Sequence, residues 1–378
     1  LFRWPRLLLF FGLAGCCWEP TLVAAEGVLD PASAKPDAKG DILWYDVQNL
    51  NLEGKGWSET KAFYDRFPAK AEGKVRPDVW NLSRHSAGLA TRFVTDAQTL
   101  QARWTLTSKR LEMPHMPSTG VSGLDLYVKG ENGKFRWLAN KSPSGETTSL
   151  ELANAIPPGK HEFLLYLPLY NGVTSVEIGI PKANFLAQPP AYDEAHAKPV
   201  VFYGTSICQG GCASRPGMVH TAILGRWLQR PVINLGFSGN GRMEKEVAEL
   251  MAELDPACFV IDCLPNIGAK EVEERTATLV KILREAHPKT PILLVEDRNY
   301  TDSFFNSGKR ERNDSSQAAL RKEFEKLQAA GVEHLYYLEG KDLLGDDGEG
   351  TVDSSHPTDL GFMRQAEAFY KVLAKILK

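Results

Sequence analysis

The chain predicts an α/β protein in which a parallel sheet with helices on both faces follows an antiparallel β-sandwich. Three observations carry this. After residue 199, short apolar runs alternate with amphipathic helical stretches, the texture of strand–helix–strand units. Between residues 41 and 181, short alternating or apolar runs are separated by turn signals at Asn132-Gly133, Pro158-Gly159 and Asn171-Gly172. The 378 residues give room for both units.

The first 25 residues differ in kind. Arg3 and Arg6 precede an apolar run from Leu7 to Gly15, too short for a bilayer span and suited to a signal peptide. Residues 1–25 are therefore set aside from the fold, and the chain is expected to be exported, to the periplasm, the extracellular space or an outer surface. Two processing sites fit: the small residues Val23-Ala24-Ala25, or the lipobox-like Leu13-Ala14-Gly15-Cys16, which would leave a lipidated Cys16 as a membrane attachment. A polar, proline-bearing linker follows over 26–40.

Composition is that of an ordinary globular protein, 43% hydrophobic and 24% charged, and the net charge of −3 gives no electrostatic case for nucleic acid. Of six cysteines, Cys16 and Cys17 fall in the leader. Cys208, Cys212, Cys258 and Cys263 remain, too few for a disulfide scaffold. No histidine or second cysteine pair completes a zinc set around Cys208 and Cys212, so no metal is expected.

The β unit is expected over 41–187, with strands at 91–94, 102–106, 124–128, 135–138, 161–167 and 176–180. Trp104, Tyr127 and Trp137 read as core packing before they read as sugar platforms. His115, in the irregular Met113-Pro114-His115-Met116-Pro117, is a lone loop histidine that would matter only if it faced the catalytic edge. Residues 188–198 read as a second linker.

The α/β unit is expected over 199–378, with strands at 200–203, 232–235, 258–263, 292–295 and 335–338. Helices are expected at 218–228, 243–254, 269–286, 315–330 and 360–377. Residues 297–314, rich in Arg, Asn and Ser, read as a loop that is solvated or borders the site. A GxGxxG fingerprint opening the first helix and a Walker A motif are both absent from the sequence, so dinucleotide and nucleotide binding find no support.

An open α/β sheet presents its ligands outside the carboxyl ends of its strands, and four segments deliver reactive residues there. The first strand runs into Gly204-Thr205-Ser206, lifting a hydroxyl nucleophile candidate, Ser206, off the strand end. The second ends in a glycine-rich loop where Gly239 offers a bare N–H. The third ends in Asp262-Cys263-Leu264-Pro265-Asn266, where Asn266 offers an amide donor or caps the next helix. Before the last helix stands Asp353-Ser354-Ser355-His356, a carboxylate three residues ahead of an imidazole it can orient.

These blocks resemble the SGNH (GDSL-like) hydrolase superfamily, and Gly123-Leu124-Asp125-Leu126-Tyr127 resembles the GxDLY β domain of a bacterial subgroup. Two departures stand out: the first block reads G-T-S in place of G-D-S, and the third reads L-P-N in place of G-x-N. The resemblance implies a flavodoxin-like three-layer sheet and a serine esterase needing no cofactor. In it Ser206 attacks, His356 carries the proton, Asp353 orients the imidazole, and Ser206, Gly239 and Asn266 form the oxyanion hole. It further implies a small acyl group, acetyl first, on poly- or oligosaccharides. A lipid or thioester acyl hydrolase with the same triad, and a glycan-binding protein without turnover, are the alternatives; oligomeric state is not indicated.

Overall fold

The computed structural model describes residues 27–377. The segment expected as a signal peptide, the two candidate processing sites and Cys16 lie outside them.

Two antiparallel sheets form the first part. One runs in the order Lys35–Pro36, Ile42–Asp46, Val173–Pro181, Leu100–Leu106, Thr147–Ala153. The other runs Leu186–Ala187, Ala90–Thr95, His161–Tyr166, Leu124–Lys129, Phe135–Lys141, with Leu52–Glu53 paired to Ala90–Thr95. Alternate residues of both sheets, among them Trp104, Val176 and Ile178 from one and Phe93, Leu126 and Phe163 from the other, bury into a common core. Trp104 is core, as expected, and its indole N–H donates to the Ser122 carbonyl at 3.1 Å. Trp137, by contrast, stays half exposed on the outer face.

The stretch expected as a leading linker is tied down from residue 27 onward. Lys35–Pro36 pairs with Ile42–Asp46, and Leu29 N–H donates to the Leu186 carbonyl at 2.8 Å. Its polar, proline-bearing composition hid two short pairings that carry almost no apolar signal.

The second part holds five parallel strands: β1 (Val200–Gly204), β2 (Val232–Gly236), β3 (Cys258–Asp262), β4 (Ile292–Val295) and β5 (Leu335–Leu338), in the order β2-β1-β3-β4-β5. Between and after them come helices α1 (Ser206–Gln209), α2 (His220–Leu228), α3 (Lys245–Met251), α4 (Ala269–Ala286), α5 (Ser307–Ala329) and α6 (Asp359–Ile376). Strand residues alternate between two cores. Val201, Tyr203, Phe259 and Ile261 pack with α3, α4 and α5, whereas Val200, Phe202, Cys258 and Val260 pack with α2 and α6. Three layers result, with the topological switch beside β1.

Two helix expectations need correction. The stretch 297–314 is loop only to Asn306; α5 begins at Ser307, eight residues before the predicted start. Its first turns read SGKRERND and bury Asn313 in place of an apolar residue, so no hydrophobic period marked them. The helix expected at 243–254 spans only Lys245–Met251, because Met243 stands at φ +52°.

The two parts share cores. Phe67, Val79 and Trp80 of the first part join the α3/α4 face, and Met116, Val121 and Leu169 join the α2/α6 face. Arg66, fully buried, donates to the carbonyls of Leu82 and His85 in its own part and of Asn234 and Gly236 at the end of β2.

Candidate active site

Ser206 opens α1 directly after β1. Thr205 caps it, its Oγ1 accepting the Ile207 N–H at 3.3 Å. The crossing is tight enough to require glycine: a Cβ on Gly204 would lie 2.6 Å from that of Cys208, and one on Gly241 only 2.1 Å from the Gly204 carbonyl oxygen. Ser206 is 7% exposed and its carbonyl accepts the Tyr170 hydroxyl at 3.1 Å.

His356 reaches Ser206 from the loop before α6, Nε2 to Oγ 2.8 Å. Its Nδ1 lies 2.8 Å from Asp353 Oδ2, and its backbone N–H donates to Asp353 Oδ1 at 2.7 Å. The loop closes on itself through Val352 N–H to the His356 carbonyl, 2.8 Å, with Ser354 at φ +74°. Burial opposes the charge on Asp353, but the N–H groups of His356 and Ser355 and the imidazole outweigh it and hold the carboxyl below its ordinary range.

Gly239 stands at φ +69° with no atom within 4 Å of where a Cβ would sit. Its loop is fixed by Phe237 N–H to the Gly204 carbonyl, 3.0 Å, and Ser238 N–H to Gln209 Oε1, 3.0 Å. Asn266 does not cap α4; Gly268 does, with its N–H on Glu271. Instead Asn266 Oδ1 accepts the Gly241 N–H at 3.2 Å, which leaves its Nδ2 donor without a bond among the described residues. The five predicted residues thus gather at one sheet edge, with the Ser206, His356 and Asp353 side chains hydrogen-bonded in series.

Several supporting residues had no sequence signal. Arg312 of α5 donates to the carbonyls of Leu264, Pro265 and Ile267, bracing the turn that carries Asn266. Lys309 donates to Ser354 Oγ at 2.6 Å and Thr301 N–H to the Ser354 carbonyl at 3.0 Å, bracing the His356 loop. His115, the lone loop histidine noted in the sequence, does face the catalytic edge from the β part, its ring centroid 6.4 Å from that of His356. Beside Thr301, Phe304 and Phe305 stand 81% and 87% exposed. All four cysteines among the described residues are free and buried. Among those residues no group of three or more His, Cys, Asp or Glu is placed to hold a metal, and no helix is long and apolar enough to cross a membrane.

Residues 197–374 match the GDSL-like Lipase/Acylhydrolase family, and residues 42–186 match the N-terminus of the SGNH-hydrolase-type esterases, GxDLY. No curated protein matches the chain. Among solved structures, the chain is similar to a protein of Bacteroides ovatus ATCC 8483 assigned to the GDSL-like lipases, at 37% identity and TM-score 0.84, over 89% of this chain and 98% of that one. Its fold also resembles a salicylyl-acyltransferase from a tetracycline biosynthetic pathway (19% identity, TM-score 0.69, 86% of this chain and 94% of that one). A third likeness is a family two carbohydrate esterase of Clostridium thermocellum, solved with cellohexaose (14% identity, TM-score 0.56, 76% and 92%).

Proposed function

The chain belongs to the GDSL-like lipase/acylhydrolase family and is a carboxylic ester hydrolase; we propose that it is an exported enzyme removing small acyl groups, acetyl first, from carbohydrates. The observation that carries the catalytic reading is the 2.8 Å approach of His356 Nε2 to Ser206 Oγ. Ser206 attacks the ester carbonyl while His356 takes its proton and returns it to the leaving alcohol. Asp353 holds the imidazole with Nε2 toward the serine and offsets its charge once protonated. The oxyanion is met by the Ser206 N–H, at a first helical position with no intrahelical acceptor, by the Gly239 N–H and by Asn266 Nδ2. Water then releases the acyl group.

The carbohydrate reading is supported by the shared fold of the cellohexaose-bound esterase and by export, expected from residues 1–25. The exposed Phe304 and Phe305 favour a second reading, a hydrolase of longer acyl chains. Hydrolysis of p-nitrophenyl acetate, butyrate and octanoate, beside acetate release from acetylated oligosaccharides, decides between them. Acetyl preference that vanishes in Ser206→Ala supports the proposal; octanoyl preference selects the second reading, and activity surviving in Ser206→Ala overturns both.

A further inference from the structure

Away from the serine, a cavity of about 360 Å³ lies between the outer face of the sandwich's second sheet and α2. Neither Ser206, His356, Gly239 nor Asn266 lines it. Its size falls in the range of small-molecule sites, about 300–1,000 Å³. Room is left by Gly88, Ala90, Ala222 and Gly225, and rings of Phe135, Tyr166 and Tyr192 form part of the wall.

The charge around it does not balance. Arg92, Lys129, Arg226 and Arg230 line it against Glu53 and Asp193. Arg92 pairs with Glu53 and Glu162, and Lys129 with Glu162; Asp193 hydrogen-bonds the His196 ring and its charge also acts on Arg230, so four cations face the three carboxylates Glu53, Glu162 and Asp193. Arg226 and Arg230 have no carboxylate within ion-pair distance among the described residues. Arg226 donates to Tyr166 Oη at 3.2 Å and the Gly217 carbonyl at 2.8 Å, over the Tyr127 ring. Arg230 is 6% exposed and donates to the Lys198 and Ala195 carbonyls, with Nε unpartnered. A guanidinium keeps its charge, and withdrawing it from water without a directly paired counter-ion is costly. An anion entering the cavity would lower that cost.

We infer that this cavity is a second ligand site, separate from the catalytic serine, for a small ring-bearing carboxylate whose charge is drawn to Arg226 and Arg230 and whose ring lies against Tyr166 and Tyr192. Sugar acids and aromatic acids share that chemistry.

The test is thermal unfolding of the full chain at constant ionic strength with 10 mM glucuronate, benzoate, glucose or sodium chloride, on wild type, Ala222→Phe, which fills the cavity, and Arg226→Gln, which removes a charge. An acid that binds tenfold above its Kd should raise Tm by about 1–3 °C, and the rise should vanish in Ala222→Phe or, if that variant does not fold, in Arg226→Gln. Hydrolysis of p-nitrophenyl acetate by folded Ala222→Phe should equal wild type. A shift with glucuronate alone assigns a sugar acid, with benzoate alone an aromatic acid, and with both a general carboxylate site. No shift with either acid, an equal shift with glucose or chloride, or a shift undiminished in the variants overturns the inference.

Discussion

Removal of the Asp353 carboxylate tests the hydrogen-bond series most sharply. Asp353→Asn should lower kcat by about 10⁴ while leaving the fold intact, because the amide holds the wrong imidazole tautomer toward Ser206. Asn266→Ala, losing one oxyanion donor, should cost about 10²–10³ in kcat with little change in KM; steady-state kinetics on p-nitrophenyl acetate reads both. His85 gives a pH signature. Burial, and then the Arg66 charge, push its imidazole down to about 4, and its Nδ1 sits 3.1 Å from Gln209 Nε2. A histidine whose folded pKa is depressed contributes stability that is complete above about 6.5 and lost as pH falls toward 4. The stability difference between wild type and His85→Gln, from urea unfolding, should therefore shrink by about 1–3 kcal/mol between pH 7 and pH 4. Ser206, Gly239 and Asn266 were legible because each belongs to a short motif at a strand end, and Asp353 and His356 because they share one short motif ahead of the last helix. His85 and Tyr170 were not, since lone residues in a β sequence show nothing of what they touch.

Among the elements, α5 is the one whose role departs furthest from its sequence. Its first turns look like a solvated charged loop, yet Arg312 and Lys309 hold the two turns that carry Asn266 and His356. Arg312→Met should lower kcat with KM nearly unchanged, by about 10-fold or more, and Arg312→Lys should restore little, because one ammonium cannot hold the Asn266 turn and Asp297 at once, as Nη2 and Nη1 do. The parallel strands were legible from continuous apolar runs and α4 from its amphipathic period, both products of burial between layers. The start of α5 escaped because its buried contacts are polar: Asn313 Oδ1 accepts the Tyr300 N–H at 2.9 Å and its Nδ2 donates to the Arg298 carbonyl at 3.0 Å.

For the molecule as a whole, the β part completes the hydrolase instead of hanging from it. Phe67, Val79 and Trp80 fill one of its cores, and Arg66 satisfies two carbonyls at the end of β2. Arg66→Met would leave the His85, Asn234 and Gly236 carbonyls without their donor and should destabilise the protein by about 3–5 kcal/mol, visible as a lower urea midpoint. Residues 199–378 expressed alone should aggregate, whereas the full chain should unfold in one transition by coincident tryptophan fluorescence and circular dichroism. Two textures in the sequence showed two units; that they share cores could not be read, since inter-unit burial leaves no period. The Ser206–His356 bond joins residues 150 apart in sequence, with α2 through α5 folded in between. Hydrolytic activity is therefore a clock for assembly: after dilution from denaturant, ellipticity should return first, and turnover only when the closing segment of the chain has docked and delivered its imidazole.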